Sequence, residues 1–170
     1  MINQKLRSKL LAMAAKDQAM RKHAINNSAD WDPAIDKANT AELKKIIAQF
    51  GWPDTCLVGK RGATAAWLIV QHADLDPVFQ RRCLGLLQLA AKHNRASVEL
   101  IAYLTDRVLL NEGKKQLYGT QFRRLKNGRM IPRPIKDRQA LAARRRAMGL
   151  QPFADYERLM KAKHEKRSRG

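Results

Sequence analysis

The chain has 170 residues, with 34 Lys and Arg against 15 Asp and Glu, a formal charge of +19, 45% hydrophobic content and 6% aromatics. That is enough apolar material for a single domain with a substantial core, and the abundance of Ala, Leu, Lys and Arg favours helices over a sandwich of strands. The chain lacks an apolar run long enough to span a membrane and a signal-peptide pattern at its start. Its two cysteines, Cys56 and Cys83, have no CxxC spacing, so the expectation is a cytoplasmic protein without membrane, disulfide framework or zinc knuckle.

The charge is uneven. Residues 1–60 hold ten Lys and Arg against six acids, residues 61–110 six against four, and residues 111–170 eighteen against five. A basic appendage on an ordinary domain explains this better than a uniformly basic fold.

In chain order, Leu6, Leu10, Met13, Asp17, Met20 and Ala24 recur at helical spacing and predict an amphipathic helix over 3–24. Asp17 stands in that apolar stripe. It either pairs with Arg21 one turn on or faces a polar cavity, unless the helix is rotated and the carboxylate solvated. Asn26 to Lys37 has loop composition, with Trp31 expected to seal a core edge. A second helix is predicted from Thr40 to Phe50, capped by Asn39 and stopped by Gly51 and Pro53. Val58-Gly59-Lys60-Arg61-Gly62-Ala63 then reads either as a tight entry turn or as an anion cradle for a third helix, Ala63 to His72; the P-loop pattern is absent.

That third helix is apolar nearly all round, hence central, and ends in Gln71-His72-Ala73-Asp74. Asp76-Pro77 reads as the N-cap and first residue of a fourth helix, Val78 to His93, with Gln80 facing the same corner as His72. Because His72 and Asp74 end a helix and His23, His93 and His164 lie in polar contexts, general acid or base work by His72 needs fewer assumptions than a metal site, and neither metal nor cofactor is expected. A fifth helix follows from Ser97 to Leu110, with Asp106 and Arg107 too close in sequence to point the same way.

After Gly113 the periodicity changes. Gln116 to Phe122 is rich in strand formers, Asn127-Gly128 is a turn signal, and Arg129 to Ile135 predicts the return strand of a hairpin. A sixth helix is expected from Asp137 to Gly149, with Arg144, Arg145 and Arg146 near its end, one of them a candidate anion clamp. A seventh runs from Phe153 to about Lys163, with Phe153, Tyr156, Leu159 and Met160 as its docking face, before residues from His164 fray.

Asp17-Gln18-x-x-Arg21, Gly51-Trp52-Pro53, Val58-Gly59-x-x-Gly62-Ala63-x-Ala65-Ala66-Trp67, Gln71-His72-Ala73-Asp74, Leu104-Thr105-Asp106-Arg107 and Gln116-x-Tyr118-Gly119-Thr120-Gln121 together resemble a widespread domain family of unknown function. The likeness covers roughly residues 10 to 156. It implies a site without naming its chemistry, because the pattern holds Gln71, His72, Asp74, Asp106, Arg107, Tyr118 and Gln121, whereas a signature kept for packing alone would be apolar.

The expectation is therefore a mainly α protein of six or seven helices with a small β-hairpin flap, a helical domain over 1–156 and a basic tail over 157–170. The first functional reading is a hydrolase or transferase with His72 as general acid or base, Asp74 or Asp106 orienting it, and Tyr118 completing the catalytic set. Asp17, Arg21, Gln71, Arg107, Gln121 and Arg145 would bind an anionic small molecule or peptide. The second is a nucleic-acid or ribonucleoprotein binding module that uses the basic C-terminal third.

Overall fold

The computed structural model describes residues 1–24 and 31–165, with side chains as far as residue 162. Residues 26–30 of the expected loop and residues 166–170 of the expected fraying end lie outside the described residues. The described residues form seven helices and one two-stranded antiparallel hairpin, so the protein is mainly α. The chain forms two compact units, Met1–Ser97 and Val98–Gly170.

The first unit contains α1 (Gln4–Ala24), α2 (Pro33–Phe50), α3 (Thr55–Gln71) and α4 (Pro77–Lys92). As its composition demands, α3 is central and packs against the other three. Leu10, Leu43, Val58, Ala66 and Val70 are fully buried around it. Three of these helices start at an aspartate. Asp32 accepts from Ala34 N, Asp54 from Cys56 N and Leu57 N, and Asp76 from Phe79 N. With Pro33 and Pro77 preset for a first helical position, α2 begins well before Thr40 and α4 where expected.

Two expectations fail here for local reasons. Trp31 precedes the Asp32 cap and is exposed, so it seals no core edge. The Val58 to Ala63 stretch is already helical, because Asp54 starts α3 early, and Gly59 (φ 70°, ψ 168°) only kinks it. A Cβ at Gly62 would lie 2.8 Å from Val58 Cβ and 3.4 Å from Arg7 Cγ, so this glycine lets α1 approach closely rather than opening an anion cradle.

The second unit contains α5 (Val98–Asn111), β1 (Phe122–Arg124), β2 (Met130–Pro132), α6 (Leu141–Ala147) and α7 (Phe153–Glu165). The strands pair Phe122 with Pro132, Arg123 with Ile131 and Arg124 with Met130, closed by a turn in which Gly128 takes φ 79°. Phe122 stacks on Phe153 at 6.4 Å between centroids and meets Tyr156 edge-on at 5.7 Å, which docks the hairpin on α7. Tyr156 is buried and Leu159 is 54% exposed, so the docking face of α7 is narrower than its periodicity predicts.

Candidate active site

Three helices of the first unit bring their polar residues to one point. Asp17 lies in the apolar stripe of α1 and is 1% exposed, which excludes the solvated alternative. Its neighbour one turn on, Arg21, donates from Nε to Asp17 Oδ1 at 3.1 Å and from Nη2 to Asp36 Oδ1 of α2 at 2.6 Å. Where α3 ends, His72 is its C-cap residue, and its Nδ1 lies 3.0 Å from Asp17 Oδ1 and 2.9 Å from Oδ2.

Arg21 Nε is also 2.9 Å from His72 Nδ1, so two proton arrangements compete. If Nδ1 were bare, its lone pair would face both oxygens of an ionised carboxylate. An Nδ1–H donated to Asp17 removes that repulsion and leaves Arg21 Nε–H to Asp17 Oδ1. Burial opposes ionisation of Asp17, but hydrogen bonding and charge from His72, with Gln18 and Arg21, hold its carboxyl below the ordinary value of 3.8. The ionised form, the one that orients an imidazole, is therefore the favoured one.

This arrangement leaves two atoms of the cluster open. His72 Nε2 has no hydrogen-bond partner among the described residues, and the side chain keeps 14% of its surface exposed. Arg21 Nη1 likewise has no partner among them, on a side chain that is 27% exposed. On the same elements, two buried carboxamide atoms have no hydrogen-bond partner among the described residues: Gln71 Oε1, next to His72 in sequence, and Asn39 Nδ2, one turn beyond Asp36 on α2. Asp74 is exposed and accepts from Gln80 Nε2 at 3.2 Å. The same Gln80 nitrogen donates to Val70 O at 3.0 Å, so Gln80 braces the corner where α3 ends. The carboxylate that orients His72 is thus Asp17 rather than Asp74. Asp76, as the cap of α4, is also paired with Lys44, and no group of three His, Cys, Asp or Glu among the described residues is placed to hold a metal ion.

The remaining candidates belong to the second unit. Asp106 of α5 is fully buried and accepts from Leu117 N at 2.7 Å, Tyr118 N at 3.0 Å, Thr120 N at 2.9 Å and Thr120 Oγ1 at 2.9 Å. Burial pushes its carboxyl up, against the pull of these four donors. Its acceptor capacity is filled by residues 117–120, so its role is to fix that loop, not to orient His72. Gln116 continues the pattern: Oε1 accepts from Gln121 N at 2.9 Å, and Nε2 donates to Gln121 O at 3.0 Å. Side chains thereby take the backbone groups a strand would have used, and the expected strand from Gln116 shrinks to Phe122–Arg124.

Arg145 is 1% exposed; Nε donates to Gln151 O at 2.8 Å and Nη1 to Tyr118 O at 2.6 Å, while its guanidinium lies over the Tyr156 ring at 5.1 Å. Burial pushes its pKa down. The Tyr118 hydroxyl is pushed up by burial and the Asp106 charge, Gln121 Nε2 donates to Thr120 Oγ1 at 3.1 Å, and Arg107 is half-buried on α5.

A family model described as a family of unknown function (DUF6624) matches residues 4–167. The chain belongs to that family. No curated protein and no solved structure matches it. Of the candidate residues in this DUF6624 chain, the structure brings Asp17, Arg21 and His72 together in the first unit and gathers Asp106, Tyr118, Gln121 and Arg145 around one loop in the second. Sequence reasoning missed Asp36, because residues 26–37 read as loop, and took Asn39 for a helix cap although it lies inside α2, whose cap is Asp32. The signal was there in Asp32-Pro33, the same pair that marks the start of α4 at Asp76-Pro77.

Proposed function

We propose that the first unit is a general acid–base catalytic site, of hydrolase or transferase type, with His72 as the proton-transfer group and Asp17 as the residue that fixes its tautomer. The observation that carries this reading is the contact of His72 Nδ1 with both oxygens of buried Asp17, at 2.9 and 3.0 Å, with Nε2 left unpartnered among the described residues. Nε2 takes the proton of an attacking hydroxyl, Asp17 stabilises the imidazolium that results, and the same proton passes to the leaving group. Arg21 Nη1 supplies a donor for an anionic substrate group, and its Nε and Nη2 keep Arg21 locked to Asp17 and Asp36. Neither cysteine suits the role of nucleophile: Cys56 lies outside this cluster in the first turn of α3, and burial pushes the Cys83 thiol up to about 12. In this reading the attacking group is water, in a hydrolase, or the hydroxyl of a second substrate.

The test is turnover by the full chain on chromogenic phosphate esters, carboxylic esters and anilides, with and without an acceptor alcohol. His72→Gln and Asp17→Asn should each lower the rate by about 100-fold or more, with helical circular dichroism retained. Absence of turnover on every class, or undiminished turnover by His72→Gln, contradicts the reading.

A second reading, nucleic-acid binding, is supported by the hairpin: Arg123, Arg124, Lys126, Arg129 and Arg133 are all exposed on it. If it is right, Arg123→Gln with Arg129→Gln lowers affinity for RNA or DNA and flattens its salt dependence by about two phosphate contacts, while His72→Gln changes neither.

A further inference from the structure

The second unit contains a cavity of about 530 Å³ between α6 and the start of α7, and its composition is unusual. Three arginines line it, Arg138, Arg145 and Arg146, together with Phe153 and apolar walls that include Leu141 and Leu150; among the described residues no acid lines it. Arg145 is buried, with Nε and Nη1 engaged by the carbonyls of Gln151 and Tyr118, but its Nη2 is buried without a hydrogen-bond partner. A buried guanidinium N–H left unpaired is costly, and this one keeps a positive charge in the wall of the cavity. Arg138 and Arg146 are exposed, and neither forms an ion pair among the described residues. The guanidinium carbons of Arg138 and Arg145 lie 6.0 and 5.7 Å from the centroid of the Phe153 ring.

We propose that this cavity is a binding site for a phosphomonoester with an aromatic body. The positive charges of three arginines, two of them exposed, match a dianion better than a singly charged carboxylate. The volume exceeds what a bare phosphate fills, and the apolar walls beside Phe153 accommodate a ring. The proposal is independent of the His72 chemistry, since every residue in it belongs to the second unit.

Calorimetric titration of the full chain with phenyl phosphate, inorganic phosphate and benzoate tests it. Phenyl phosphate should bind tighter than inorganic phosphate and tighter than benzoate. Arg138→Gln combined with Arg146→Gln, both at exposed positions, should weaken phenyl phosphate about tenfold or more. Phe153→Leu should bring its affinity down to that of inorganic phosphate. The proposal is overturned if neither phosphate binds at millimolar concentration or if benzoate binds as tightly as phenyl phosphate. It is equally overturned if the double arginine variant binds normally, or if the loss instead follows Arg123→Gln with Arg129→Gln on the hairpin.

Discussion

Replacing Asp17 by Asn keeps its shape and removes its charge. It takes one acceptor from Arg21 and His72 in a buried setting and should cost about 2–3 kcal/mol at neutral pH. The sign of the pH dependence follows from the lowered carboxyl. The unfolded chain binds a proton at Asp17 more readily than the folded one, so the stabilisation is fully present above 3.8 and is lost as pH falls through the lower folded value. Thermal melts of the native chain and Asp17→Asn should therefore converge in acid; a gap that persists there would mean the cost lies in packing. Asp106 is the comparable residue of the second unit. Asp106→Asn sets an amide N–H against donors and should cost about 2–4 kcal/mol, measured by urea denaturation. At this scale the sequence was informative about Asp17, since an acid within an apolar stripe needs a partner and Arg21 stands one turn away. It was silent about the link from Asp17 to His72, because contacts between residues so far apart in the chain leave no trace in local spacing.

Elements were legible where a local signal decides and illegible where a side chain overrides it. Asp76-Pro77 and Asn127-Gly128 placed a helix start and a turn, and both hold. The run from Gln116 has strand composition, yet Asp106 and Gln116 claim its backbone groups, which no propensity scale anticipates. The sixth helix shortens at its start for a related reason. Asp137 takes φ 44°, and Arg144 Nη2 donates to the carbonyls of Lys136 and Asp137 at 2.6 and 2.7 Å, so α6 begins only at Leu141. The loop is also held by Gly119, whose φ is 68° and where a Cβ would sit 2.7 Å from Phe153 Cε2. Gly119→Ala should accordingly destabilise the protein by about 2–4 kcal/mol, combining left-handed strain with overpacking. A melting temperature unchanged by that substitution would show that the loop is not fixed as described.

Across the whole chain, the basic excess is not confined to the end. Between residues 122 and 138, seven Lys and Arg stand against one acid, whereas residues 157–170 hold six against two. Truncation after residue 156 should thus leave most electrostatic attraction to a polyanion in place, and salt-dependent binding to heparin would register it. Set against that diffuse charge is a compact feature: three successive helices, α1, α2 and α3 with its cap, contribute Asp17, Arg21, Asp36 and His72 to one hydrogen-bonded network. Helices can be packed without such a network, at lower desolvation cost, which is why we read it as functional. Its meaning turns on the proton of the imidazole. Long-range ¹H–¹⁵N correlation spectra of the full chain in alkaline buffer, with the His72 signals assigned by their loss in His72→Gln, report that proton directly. The hydrogen should be on Nδ1, with Nε2 bare and able to accept a proton; a hydrogen on Nε2, with Nδ1 accepting from Arg21, would contradict the acid–base assignment.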